Sequence, residues 1–357
     1  MEKQNKNESM EIENNFPNIH EDKAKSNIMS IEEEENLKPN LPQMTKFQET
    51  KSSSELDSSI GTNYSNNPKS LEQSMNSNNS NSNCKYEPIF KIPTQNPDYI
   101  YNVEYFDDIY TNFLLDENIS NLRINKDYMD NQKEINYKMR AILVDWLIEV
   151  HFKLHFKRKT LFQTIYIIDL YLSYKSILKT NLQLLGIASL LISCKANEIL
   201  YPRAEEYINI TNRAYSKSQL LEMEMNIMKT LNFEILSPTP EEFFNILSKI
   251  FNLNKMQHHF GEYFLDSALI DYKLLKYKPS TIAVSCTYIV MKYFGLNGYK
   301  DLYIPRMTML ENPQKIIKDC ARDLCFLVKN LSNSSLRATK DKYSLEEFEN
   351  VAALGDK

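Results

Sequence analysis

Between residues 137 and 156 the chain reads YKMRAILVDWLIEVHFKLHF, and apolar side chains fall on almost every side of the helix that this run predicts. At about 100° per residue, an arc from Glu149 through Ile142, Trp146, Met139, Val150, Leu143 and Leu154 to Leu147 covers more than half the circumference. Val144, Ile148 and Phe152 fill most of the rest. A helix apolar all round is either enclosed by other helices or spans a membrane, and a spanning helix needs about 20 residues with almost no charge. Arg140, Asp145, Glu149 and Lys153 exclude the second. The stretch therefore predicts the central helix of an all-helical domain, with a partner for every buried charge, because an unpaired one costs several kcal/mol.

The flanking pattern extends this picture. Upstream, Tyr101, Tyr105, Ile109 and Phe113 recur every four residues and predict a leading helix with one apolar face. From there to about residue 335, helix-length periodic segments alternate with short polar loops, and no set of alternating strands is visible. In SPTPEEFFNILSKIF, Pro238 and Pro240 forbid a continuing helix while Glu241 and Glu242 suit the first turn of a new one, which places a domain boundary at 236 to 239. LLGIASLLISCK (184 to 195) and PSTIAVSCTYIVMK (279 to 292) align on Ile187-Ala188 and Ile282-Ala283, 95 residues apart. That offset suggests a tandem repeat of one helical domain of about 100 residues. Two unrelated apolar helices that happen to align are the alternative.

Residues 1 to 97 are dominated by Asn, Ser, Glu and Lys, and their composition predicts a disordered tail. The organisation expected is that tail, a leading helix with the first repeat over 98 to 236, a second repeat over 237 to 335, and an extension over 336 to 357.

Charge and chemistry narrow the function by exclusion. The tail carries 10 Lys and 15 Asp plus Glu, which accounts for the net charge of −5, and the remaining 32 basic and 32 acidic residues cancel. A neutral folded part does not suggest a nucleic-acid binder. The longest apolar run, Leu184 to Cys194, is 11 residues and too short to cross a bilayer, and the start, MEKQNKNE, holds no secretory signal. An intracellular chain without a membrane partner is expected. Cysteines 84, 194, 286, 320 and 325 form no C-x-x-C pair and read as reduced core thiols rather than a metal or disulfide framework. His151 and His155 are spaced like zinc ligands but lack the glutamate of a metalloprotease helix. None of the six glycines builds a nucleotide-binding loop, so no cofactor, metal or catalytic group is expected.

MRAILVDWLIEVH closely resembles the signature at the start of the cyclin box in cyclins of the mitotic A and B type. YFDDIYTNFL resembles the helix before the box, YIIDLYLSYKSILKTNLQLLGIASLLISCK its next two helices, and LLEMEMNIMKTLNFEILSPTPEEF its end. KYSLEEFENVAAL resembles the B-type C-terminal ending, so the likeness covers roughly 98 to 354. It implies an all-α protein with two tandem five-helix cyclin folds behind a disordered tail. It also implies a non-catalytic activator of a cyclin-dependent protein kinase, one that holds the kinase C-helix inward so that its Lys–Glu pair and metal site form. Nuclear or cytoplasmic residence and a cell-cycle role go with it.

By this resemblance Arg140 pairs with Asp169 in an internal bridge. Lys195 and Glu224 look like the pair that hydrogen-bonds the kinase backbone, with Ala196 and Glu198 beside them at the kinase; without the family, Lys195 reads as a solvated helix end. Met139, Ile142, Leu143 and Trp146, with Glu149 and Gln183, look like the patch that docks substrates and inhibitors carrying Arg-x-Leu, although core packing is the other reading and for Leu143 half of it. The chain departs from the family where Ala196 and Asn197 replace the usual F-E after the lysine, Leu170 replaces an arginine, and Lys179 stands where the patch often has arginine. No Arg precedes Arg123, so the tail holds no R-x-x-L destruction box, and no K-E-N box appears. A tandem cyclin fold can also serve as an adaptor or transcription factor without activating a kinase. The neutral folded part, the lack of a zinc ribbon and the Lys195 and Glu224 pair weigh against that role.

Overall fold

The computed structural model describes residues 105–119, 123–303 and 307–355. Among these the secondary structure is helical throughout, with no strand. The tail expected over 1 to 97, the start of the leading helix and Cys84 lie outside the described residues.

A leading helix, α1 (Phe106–Asp116), precedes the first repeat: α2 (Tyr137–Lys153), α3 (Arg158–Tyr174), α4 (Leu182–Asn197), α5 (Ala204–Ile210) and α6 (Lys217–Thr230). The second repeat comprises α7 (Pro240–Ile250), α8 (Lys255–Ile270), α9 (Pro279–Tyr293), a 3₁₀ turn over Tyr299–Tyr303 and α10 (Pro313–Leu331). A short helix, α11 (Ala338–Tyr343), follows. Corresponding elements occupy corresponding places: α4 and α9 are the third helices of their repeats, and Ala188 and Ala283, the small residues that aligned, are both fully buried. The fourth place in the second repeat holds a 3₁₀ turn in place of an α-helix.

Local chemistry sets the boundaries. Asn136 caps α2 by accepting from the Met139 N–H at 3.0 Å. At the start of α7 the Glu242 carboxylate accepts from the Thr239 N–H at 3.0 Å, and Pro240 occupies the first helical position, where a missing N–H costs nothing. The helix so begun bridges the repeats, since Lys159 reaches Glu242 at 2.8 Å.

One expectation needs correction. The leading helix buries Phe106, Tyr110 and Leu114, one residue on from the face expected, while Tyr105 and Ile109 are exposed. Both faces have a four-residue period, and contact with a distant segment decides between them. That segment is in the second repeat: Tyr110 and Phe113 pack edge-on against Phe243 at 5.2 and 5.6 Å, and the Tyr110 hydroxyl donates to the Met307 carbonyl at 2.9 Å.

The central helix α2 touches α3 and α4 on one side, and α8 and α11 on others. It is enclosed by both repeats and by the C-terminal segment, which is why its sequence is apolar nearly all round.

Candidate functional site

Two surfaces carry the residues singled out above. The first lies where α4 ends. Lys195 is in the last turn of α4, where a cation suits the helix dipole, and its Nζ lies 2.5 Å from Glu224 Oε1 on α6. Ala196 is exposed beside it. The loop that follows displays Ile199 and Leu200 at 89% and 88% exposure, and α6 displays Leu221 and Met225 on either side of Glu224 in sequence. The ion pair therefore has uncovered apolar side chains near both of its ends.

Glu198 does not face this surface. Its Oε1 accepts from the Lys157 N–H at 2.8 Å and from the Thr160 hydroxyl at 2.5 Å, so the carboxylate caps the start of α3. Asn197 is likewise turned inward, donating to Gln163 Oε1 at 2.7 Å. Of the four residues expected at a kinase, only Lys195, Ala196 and Glu224 are presented outward. Glu198 is held by an unsatisfied helix N-terminus, a demand that its place in the motif does not reveal.

The second surface lies along α2 and α4. Met139 and Ile142 are half-buried, while Leu143 and Trp146 are 6% and 8% exposed and form a floor rather than a display. A Cβ on Gly186 would come within 2.8 Å of Leu143 Cδ1, so the glycine lets α4 close on α2. Gln183, one turn earlier on the same face of α4, is half-buried. Glu149 is exposed and bonded to Lys153 at 2.5 Å. The structure thus gathers the patch residues at one helix pair but leaves only Met139, Ile142, Gln183 and Glu149 with appreciable exposure.

Comparison with known proteins decides the family. Residues 108–236 match the description "Cyclin, N-terminal domain" and residues 238–357 match "Cyclin, C-terminal domain". The chain belongs to the cyclin family. Similar curated proteins are B-type: Cyclin-B2-2 of Oryza sativa subsp. indica is 34% identical over 242 residues, covering 68% of this chain and 57% of that one. The G2/mitotic-specific cyclin-B of Hydra vulgaris is 31% identical over 228 residues, covering 64% of this chain and 62% of that one. The matched part thus spans less than two thirds of the length of these relatives. A viral cyclin from herpesvirus saimiri has the same fold, with a TM-score of 0.52 at 16% identity, covering 62% of this chain and 97% of that one.

A further charged site of this cyclin lies between its repeats. At the start of α3, Arg158 lies 3.0 Å from Glu262 and 2.8 Å from Asp266, both on α8, and Lys342 of α11 lies 2.8 Å from Asp266. The Tyr343 hydroxyl donates to Asp266 at 2.9 Å, and His258 and His259 approach Glu262 at 3.2 and 2.9 Å. Burial pushes the Glu262 and Asp266 carboxyls up, but Arg158 and the hydrogen bonds outweigh it and hold both below the usual carboxylate range. The network joins the first repeat, the second repeat and the C-terminal segment. Its signal in the sequence was FGEYFLDSAL, where two carboxylates one turn apart in an apolar helix demand cations from elsewhere.

Two further groups on α2 titrate away from their ordinary ranges. Asp145 accepts from the Ala338 N–H at 3.0 Å, capping α11, and burial pushes its carboxyl up to about 7. His151 is buried, donates through Nε2 to the Lys157 carbonyl at 2.9 Å, and is pushed by burial down to about 4. Among the described residues no group of His, Cys, Asp and Glu could hold a metal ion. No helix among them is long and apolar enough to cross a membrane.

Proposed function

We propose that this cyclin binds and activates a cyclin-dependent protein kinase as a non-catalytic regulatory subunit, in cell-cycle control, in the nucleus or cytoplasm. The observation that carries this reading is the Lys195–Glu224 pair on a surface where Ile199, Leu200, Leu221 and Met225 stand uncovered. Exposed apolar side chains so grouped mark an interaction surface, and a polar pair among them supplies direction and register. The B-type relatives favour the same reading. Ala196 presents a methyl group where the family usually has an aromatic ring, so affinity rests more heavily on the polar pair and on Ile199 and Leu200.

A second role, docking of substrates or inhibitors that carry Arg-x-Leu, is supported by the partial exposure of Met139, Ile142 and Gln183 with Glu149 nearby for the arginine. The test of the first role is to purify Lys195→Ala and Glu224→Ala, confirm folding by circular dichroism and melting, and measure binding and activation of a cyclin-dependent kinase. Each variant is expected to lose about 2 to 5 kcal/mol of complex stability, because truncation leaves buried polar partners unpaired in the complex. Folded variants that bind and activate like the parent would overturn the proposal.

A further inference from the structure

Just past the end of α1 two cations converge on one uncharged oxygen. Asn118 Oδ1 accepts from Arg123 Nη2 at 3.0 Å and from Lys278 Nζ at 2.7 Å. The amide cannot turn away, because its Nδ2 donates to the Leu114 carbonyl at 2.5 Å. The Glu117 carboxylate at this corner is buried and taken up by the Ser280 N–H at 3.0 Å and the Ser280 hydroxyl at 2.8 Å. Other charges around the adjoining cavity are matched: Lys126 lies 4.0 Å from Asp127, Lys276 lies 2.7 Å from Asp323, and Arg140 is bonded to Asp169. Among the described residues, Arg123 and Lys278 against Glu117 leave one positive charge in excess. Two like charges sharing a neutral acceptor repel each other at short range, and an anion in the acceptor's place would reverse the sign of that energy.

The corner opens on a cavity of about 330 Å³ between the repeats, whose apolar walls include Phe162, Ile165, Leu265 and Ile282. We infer that Arg123 and Lys278, arranged about Asn118, form a binding site for a phosphate monoester group at the mouth of this cavity. A tetrahedral phosphate offers a separate oxygen to each cation, and its charge of about −1.5 to −2 is enough to offset the excess positive charge that a neutral amide leaves in place. Arg123 is exposed, and among the described residues Asn118 is its only hydrogen-bonding partner. The same chemistry arrives on a phosphorylated side chain of another protein or on a small phosphate ester.

Thermal melting and calorimetric titration of the full chain test the site, with O-phosphoserine, a short phosphoserine peptide and unmodified serine as probes. Both phosphate probes are expected to bind and raise Tm while serine does neither. Arg123→Gln combined with Lys278→Gln should weaken phosphate binding by roughly tenfold or more. Asn118→Asp puts a carboxylate between the cations, though it gives up the hydrogen bond to the Leu114 carbonyl; it should blunt the phosphate response. Binding of the peptide well above that of O-phosphoserine assigns the site to a phosphorylated partner, and equal binding assigns it to a small ester. The inference is overturned if neither phosphate probe binds, if the Gln variant binds them like the parent, or if Asn118→Asp binds phosphate unchanged.

Discussion

Arg140 grips Asp169 through two parallel hydrogen bonds, Nε to Oδ1 at 2.6 Å and Nη2 to Oδ2 at 2.7 Å, in a position where the arginine is 1% exposed. Its remaining nitrogen, Nη1, donates to the Leu269 and Ile270 carbonyls at 2.9 and 3.3 Å. Those carbonyls end α8 and have no partner within their own helix. With the Tyr128 hydroxyl on Asp169 at 2.7 Å, one side chain on α2 thereby closes the first repeat and docks the second against it.

Removing that guanidinium should be severe. Arg140→Ala leaves a buried carboxylate with a single hydroxyl donor and strands two helix-end carbonyls, so a loss of about 3 to 5 kcal/mol is expected in urea unfolding. Arg140→Lys should rescue little of it, since an ammonium cannot supply the fork and the third donor direction together. A lysine variant that melts with the parent would show that charge alone is enough here.

The docking surface makes a separable prediction. Met139→Ala combined with Gln183→Ala should weaken phosphorylation of substrates bearing Arg-x-Leu while sparing peptides without it, because a second contact raises effective concentration and leaves the chemistry unchanged. Steady-state kinetics on a matched pair of substrates reads the difference. Equal loss on both substrates would remove the docking role.

Asp145 and His151 predict opposed pH dependences. The folded Asp145 carboxyl, at about 7 against an ordinary 3.8, holds a proton between those values that the unfolded chain does not, so its contribution to stability falls as pH rises through that window. The folded His151, at about 4 against 6.5, lacks a proton that the unfolded chain holds, so its contribution falls as pH drops from about 6.5 to about 4. The two slopes offset each other where the windows overlap. Asp145→Asn keeps an acceptor for the Ala338 N–H and removes the first slope. The variant should be more stable than the parent above about pH 7 and should lose stability more steeply on acidification, as pH-resolved thermal melts would show.

The architecture was legible because it rests on periodicity. The all-round apolar pattern of α2, the proline break before α7 and the small residues at the centres of α4 and α9 are local signals that the packed structure uses directly. What the sequence hid depends on distant partners. Whether α1 buries Tyr105 and Ile109 or Phe106 and Tyr110 is settled by Phe243, more than a hundred residues away in the chain. Glu198 stands in a run that suggests an outward role, yet the exposed donors at the start of α3 draw it inward. Motif spacing places a side chain on a helix but does not say which unsatisfied group will compete for it. Leu170 is the converse case, since its 1% exposure makes leucine a natural occupant whatever residue the family prefers there.

The buried network at Arg158 also bears on how the chain assembles. Asp266 and Lys342 are separated by 76 residues, so a nascent chain brings Glu262 and Asp266 out together long before the second cation. At ordinary synthesis rates the gap is about 4 to 15 s. Throughout it, Glu262 has Arg158, His258 and His259 beside it, while Asp266 has only Arg158 of the two cations that finally bond it. Lys342 and Tyr343 complete the set of partners on Asp266, so α11 supplies the final bonds to a carboxylate buried between both repeats.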